Sequence, residues 1–284
     1  MRNRQLDRYS LKWNPFTPDI PTEACLVTGE TERFLWRVEQ LAKIGGFALL
    51  SGESGTGKSV VLRLLRDHLG KTPDLLVAVL SRPQGSIPDF YRELGALFDV
   101  QLTPHNRWAG SKMLRERWLA HMESSLFRAV LIVDEAQEMH SSVLSELRLL
   151  CSDQLDSRSI LTVVLSGDDR LPELFRTREL IPLGTRIRVR MNMGAMHPTQ
   201  LKEHLRHVLS VSGNPDLMTE ELSDTLCERS VGNLRILMGM GAELLEAAIQ
   251  RQIDRIDEKL FLDTFAPQIT LKNKSKPVPA ARSR

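Results

Sequence analysis

Apolar positions along this chain follow two alternating rhythms. Short unbroken runs, Phe47–Leu50, Leu75–Leu80, Ala129–Val133 and Ile160–Ser166, are separated by stretches with apolar residues three or four positions apart. The runs predict strands covered on both faces, and the wider spacing predicts amphipathic helices. Arg186–Met191 alternates and predicts a fifth strand. Helices are expected over Glu30–Ile44, Lys58–Leu69, Ile87–Phe98, Arg107–Phe127 and Val143–Leu150. In the first of these Phe34, Leu35, Val38 and Leu41 share one face, and Gly45–Gly46 supplies the stop. Strands alternating with helices give an α/β fold, a parallel five-stranded sheet flanked by helices.

Beyond Met191 the strand rhythm ends. Residues 192–196 read as a linker, and the remainder to Phe265 as helix. Leu201, Leu205, Val208 and Leu209 form one stripe, with Pro198 suited to a first turn and Gly213 to a stop. Leu234, Leu237, Met238, Leu244, Leu245, Ala248 and Ile249 form a longer one. The expected division is an N-terminal extension with its leading helix (1–46), an α/β core (47–192), a small all-helical lid (193–266) and a basic disordered tail (267–284).

Composition narrows the setting. Three scattered cysteines, Cys25, Cys151 and Cys227, show neither metal-ligand spacing nor a disulfide framework, which suits a reducing, cytoplasmic compartment. No apolar stretch approaches the ~18 residues of a membrane span, so no membrane contact is expected. Net charge is only +2, so any polyanion partner must be met locally. Lys272, Lys274, Lys276, Arg282 and Arg284 crowd the C-terminal tail, and Arg2, Arg4, Arg8 and Lys12 bias the other end. Such ends either track phosphates or stay solvated, and both readings are open.

The chemistry is concentrated in two places. Gly52-Glu53-Ser54-Gly55-Thr56-Gly57-Lys58-Ser59 satisfies GxxxxGK[ST] between a predicted strand and a predicted helix. Glycines allow backbone N–H groups to turn inward around a phosphate, and the helix N-terminus adds partial positive charge. Lys58 is expected on the β and γ phosphates of ATP, Ser59 on Mg²⁺, and Val60 continues the cradle into the helix. The strand Ala129–Val133 then ends in Asp134 and Glu135. Asp134 is expected to hold the metal and Glu135 to deprotonate the attacking water. The room for an extra strand between Lys58 and Asp134, with a glutamate after the aspartate, favours hydrolysis over transfer to a small substrate.

Three segments carry a resemblance. Gly46-Phe47-Ala48-Leu49-Leu50-Ser51-Gly52, Val133-Asp134-Glu135-Ala136-Gln137-Glu138 and Leu144-Ser145-Glu146-Leu147-Arg148-Leu149-Leu150 resemble the ExeA-type AAA+ ATPases. Val163-Val164-Leu165-Ser166-Gly167-Asp168-Asp169-Arg170-Leu171 is similar to a stretch of the transposition ATPases TniB and TnsC. The resemblance spans about residues 14–265 and implies a P-loop AAA+ core with a helical lid. It also implies a catalytic sensor of the γ-phosphate at Asp168, with Ser166 nearby. An arginine finger acting from a neighbouring copy falls on Arg186, with Arg176 and Arg178 as alternatives. In Gly232-Asn233-Leu234-Arg235, Arg235 matches the lid arginine that reaches the nucleotide, a surface arginine being the alternative.

Two functions follow from that resemblance. One is a DNA-transposition regulator that oligomerises on duplex DNA, as a ring or a filament, and recruits or activates a transposase. The other is a secretion-linked accessory ATPase of ExeA type, and a stand-alone switch in signalling or phage defence is a third possibility.

Overall fold

The computed structural model describes residues 6–83, 85–102, 107–154 and 157–265. The elements of the first region are α1 (Gly29–Ile44), β1 (Gly46–Gly52), α2 (Lys58–Gly70), β2 (Val77–Leu80), α3 (Ile87–Leu97) and α4 (Arg107–Ser124). They continue with β3 (Ala129–Val133), α5 (Ser141–Cys151), β4 (Leu161–Gly167) and β5 (Ile187–Met193). Two short helices, Arg170–Leu174 and Ile181–Gly184, lie between β4 and β5, and beyond β5 come α6 (Pro198–Ser212), α7 (Glu220–Arg229), α8 (Leu234–Arg251) and α9 (Glu258–Phe265).

The five strands form one parallel sheet in the order β2-β3-β4-β1-β5. Side chains alternate across it, as the strand pleat requires. Phe47, Leu49, Leu131, Val133, Val163 and Leu165 enter one hydrophobic layer with Phe90, Trp118 and Leu147. Ala48, Leu50, Val130, Ile132 and Val164 enter the opposite layer with Val38, Leu41 and Leu65. Both faces are covered, so β1, β3 and β4 are buried at every position. That is why these strands read as unbroken apolar runs.

Local signals set the helix ends. Thr28 caps α1 by accepting the Thr31 N–H, Ser86 caps α3 by accepting that of Asp89, and Gly213 stops α6 in the left-handed region. β5 extends through Asn192 and Met193, because Ser51 and Gly52 of β1 remain to be paired there. The expected linker therefore starts two residues inside a strand. α4 closes at Ser124, three residues short of expectation. A two-residue antiparallel ribbon, Ser152–Asp153 with Arg158–Ser159, has no counterpart in the sequence reading. The expected basic tail, like Arg2 and Arg4, lies outside the described residues.

The helices α6 to α9 enclose a separate core that is not built from them alone. Tyr9, Leu11 and Phe16 are buried among Leu201, Leu205, Leu209, Leu237, Leu244 and Phe261. The Tyr9 hydroxyl donates to the Ile253 carbonyl at 2.7 Å, the Lys12 N–H to that of Ser212 at 2.8 Å, and Arg8 pairs with Asp254 at 2.6 Å. The expected N-terminal extension is thus a strap across the lid. It then crosses to α2, where Arg63 donates to the carbonyls of Pro18 and Ile20. Among the described residues no helix is long and apolar enough to cross a membrane.

Candidate active site

In a parallel sheet every strand delivers its carboxyl end to one edge. Here that edge gathers the loop 52–57, the acids Asp134 and Glu135, and the segment Ser166–Asp168. Gly55 and Gly57 stand at φ 84° and 103°, conformations that a side chain disfavours. Gly52 is required for a second reason, since a Cβ there would sit 2.1 Å from the Met193 carbonyl oxygen. Thr56 is buried and donates to the Glu53 carbonyl at 2.9 Å, which closes the loop on itself. Lys58 is only 8% exposed, and its ammonium donates to the carbonyls of Gly52 and Glu53 at 2.7 and 2.8 Å. Ser59 lies exposed in the first turn of α2, and Glu53 and Ser54 are exposed on the loop.

Asp134 and Glu135 follow β3 directly. Asp134 Oδ1 accepts the Ser166 hydroxyl at 3.2 Å and the Glu135 N–H at 3.0 Å, so the aspartate is fixed from two sides. Glu135 adopts φ 51°, ψ 41°, a left-handed turn that swings its side chain out of the strand line. Its Oε2 accepts the Gln137 amide at 2.5 Å.

The other expected residues divide by position. Asp168 is at the end of β4 but is engaged by its neighbour. Its carboxylate accepts from Arg170 Nε at 2.9 Å, and Arg170 also bonds Glu138. The Arg170 hydrogen bonds hold the Asp168 carboxyl below the usual range, and the field of Lys58 adds to this. Arg235 opens α8 with its N–H donating to Gly55 O at 3.1 Å and its guanidinium to Ser54 Oγ at 3.1 Å. Its exposed side chain therefore lies against the loop.

Arg186 is at the opposite edge. Register pairs Phe47 with Ile187 and Gly52 with Met193, so the strand length puts Arg186 roughly 20 Å from the loop. Its guanidinium bonds the Pro182 carbonyl, and burial followed by the charge of Arg148 lowers its pKa. Arg176 pairs with Glu173 at 2.7 Å. At that distance Arg186 does not reach its own loop.

Two residues escaped the sequence reading as site members. Asn233 caps α8 by accepting the N–H groups of Arg235 and Ile236, and donates to Ser54 O at 2.8 Å. Gln137 bridges Glu135 and Asp168, whose N–H it accepts at 3.2 Å. A signal for each existed in the glycines they touch, because Cβ atoms at Gly55 and Gly167 would strike Asn233 and Gln137 at 2.2 and 2.3 Å. His197 caps α6 by accepting the Thr199 N–H. Among the described residues no group of three or more His, Cys, Asp or Glu side chains is placed to hold a metal ion.

These features suit a nucleotide triphosphate. Inward-turning glycines, a buried lysine and a 13-residue helix beginning at the loop make an anion cradle. Asp134 and Ser59 offer two oxygens that would hold Mg²⁺, which would neutralise charge on the phosphates. The fold and this site define an ATPase with an AAA-type P-loop domain, and residues 43–175 match the family model described as AAA domain.

The chain is also 32% identical, over 217 residues, to the General secretion pathway protein A of Aeromonas hydrophila. That match covers 75% of this chain and 39% of the relative, so the chain spans about two fifths of that protein's length. Among solved structures, the Aeropyrum pernix ORC2 protein in its ADP form superposes with a TM-score of 0.70 at 14% identity, covering 90% of this chain and 72% of that one. Cdc6p from Pyrobaculum aerophilum gives 0.67 at 14%, covering 85% and 67%. The Thermotoga maritima RuvB Holliday junction branch migration motor gives 0.55 at 18%, covering 88% and 72%. At these identities the superpositions speak for the fold alone.

Proposed function

We propose that this ATPase works as a nucleotide-controlled switch, assembled from several copies, whose ATP state engages a protein partner and whose hydrolysis ends that engagement. The observation that carries the reading is the docking of Asn233 and Arg235 on Ser54 and Gly55. A phosphate entering the loop must alter those bonds, and the lid moves with them. ATP supplies the phosphoanhydride bond whose hydrolysis makes the cycle one-way, and Mg²⁺ supplies charge neutralisation.

In this reading Gly52–Val60 cradle the phosphates, and Lys58 exchanges its two carbonyl partners for phosphate oxygens. Asp134 and Ser59 hold the metal, and Glu135 takes the proton of the attacking water. Asp168 acts through Arg170 at the mouth of the site, and Arg235 follows the γ-phosphate from the lid. Arg186 serves the site of a neighbouring copy, which its distance from its own loop favours.

The partner is the finer question. The match to the General secretion pathway protein A supports a secretion-linked protein partner. The rival reading has a homo-oligomer on duplex DNA that activates a transposase, and rests on Val163–Leu171. In that stretch Gly167 makes room for Gln137, Asp168 and Arg170 pair with each other, and Leu171 is buried. Those local duties explain the similarity without invoking DNA.

The test combines turnover with assembly. Lys58→Ala is expected to abolish nucleotide binding and turnover together. Glu135→Gln is expected to bind nucleotide normally and lower turnover by roughly 100-fold or more. Light scattering of Glu135→Gln with ATP should then show a larger particle than with ADP. An equal mass in both states would sink the switch reading. Salt-sensitive, ATP-dependent retention of duplex DNA would favour the transposition reading instead.

A further inference from the structure

We infer that Gln137 is a positioning residue for hydrolysis, holding one oxygen of the Glu135 carboxylate and tying it to the end of β4. The inference rests on the assignment of Glu135 as the base. Gln137 stands on the short 3₁₀ turn Ala136–Glu138 and is 9% exposed. Its Nε2 donates to Glu135 Oε2 at 2.5 Å, and its Oε1 accepts the Asp168 N–H at 3.2 Å. Only one orientation of the amide meets both partners, since a carboxylate cannot donate and a backbone N–H cannot accept.

The seat is shaped for this amide. The backbone of Gly167 is not left-handed, yet a Cβ there would lie 2.3 Å from Gln137 Oε1 and 2.8 Å from Leu171 Cδ2. Glycine at the end of β4 therefore makes space rather than a turn. Glu135 needs such a holder, because its own residue is exposed and its backbone is already turned out at φ 51°. With Oε2 held by the amide, Oε1 remains to receive a proton from water.

The same amide links two ends of the site. Asp168 lies within the field of Lys58 and bonds Arg170, which bonds Glu138. A shift of the Asp168 backbone when a phosphate meets Lys58 passes through one side chain to the base. An amide in a merely supporting role would fix the turn without setting the aim of Glu135.

Gln137→Leu keeps the volume and removes both bonds. It is expected to lower kcat about 10–100-fold, as misaimed catalytic groups do. ATP-analogue affinity should stay within about twofold, because nothing in the cradle is touched, and a loss of misaim alone leaves binding intact. The loss should appear in kcat and not in KM, the split expected of a misaimed base. Gln137→Glu can still accept the Asp168 N–H but offers Glu135 no donor, so it should lose kcat as Gln137→Leu does. Wild-type kcat within twofold in Gln137→Leu overturns the inference. If that variant does not fold, wild-type kcat in Gln137→Glu does the same. Glu135→Gln run alongside separates the two failures: turnover retained there removes the base assignment itself, whatever Gln137 does.

Discussion

In β3, five consecutive residues serve two hydrophobic layers, Leu131 and Val133 facing one and Val130 and Ile132 the other. The lid reaches the same degree of burial differently, by joining Tyr9, Leu11 and Phe16 to partners between Leu201 and Phe261. From Phe16 to Leu201 is 185 positions (201 − 16), against 140 from Phe47 to its sheet partner Ile187 (187 − 47). Closing such a loop costs conformational entropy, though the cost grows only slowly with length. The lesson is that the lid's integrity depends on a segment that belongs to it in space and not in sequence. Nucleotide response depends on the lid through Asn233 and Arg235, and so inherits that dependence.

The sharpest way to break the contrast is Phe16→Ala. Removing this buried ring should cost about 3–5 kcal/mol, and the loss should be confined to the lid. Hydrogen exchange should show amides of α6 and α8 losing protection while β1 and β3 keep theirs. Equal loss in both regions would mean that the lid is no separate unit. Next in size is Gly241→Ala, whose added Cβ would lie 2.5 Å from the Phe16 ring. Overpacking of this kind costs about 1–3 kcal/mol. In a double-mutant cycle its cost should largely vanish in the Phe16→Ala background, because the clash goes with the ring.

A smaller effect is expected at the junction of the two regions. Asn233→Ala removes the cap of α8 and should cost about 1 kcal/mol of stability. It should also weaken the difference in lid protection between the ATP and ADP states, read by the same exchange experiment. An unchanged difference would place the coupling elsewhere. The smallest effect is one of pH and belongs to the core. Glu146 is buried, which alone raises its pKa, but the bonds from Arg107 and Tyr91 outweigh this and the net shift is downward. Its folded pKa is therefore below the unfolded value near 4.3. The stabilisation is present above that value and is lost as pH falls through the folded one. Urea midpoints taken from pH 6 to pH 3 should fall less steeply in Glu146→Gln than in wild type.

Much of the core was legible in the sequence because each of its elements carries its own instruction. The five strands are buried on both faces or alternate, and the loop 52–59 announces itself by residue type and spacing. The order of the strands was not legible, since it depends on which runs pair across the sheet. The strap was missed for a related reason. Tyr9, Leu11 and Phe16 sit among prolines and charges with neither helical nor strand period, and only distant partners make them core. At the site, the glycine-rich loop and the paired acids could be read directly. Gln137 and Asn233 were not, because the glycines that make room for them, Gly167 and Gly55, name no partner until the fold brings one near. Arg186 shows the reverse case, since resemblance named it but only strand register showed how far it stands from its own loop.

The strap has a consequence for how the protein is made. Residues 6–16 leave the ribosome well before the helices that cover them. At typical synthesis rates of ~5–20 residues per second, that interval is on the order of 10–40 s. Throughout it Tyr9, Leu11 and Phe16 lack their native cover while the sheet can already close behind them. A nascent chain stalled at about residue 195 should thus be captured by chaperones through its first twenty residues, and released once α8 has emerged.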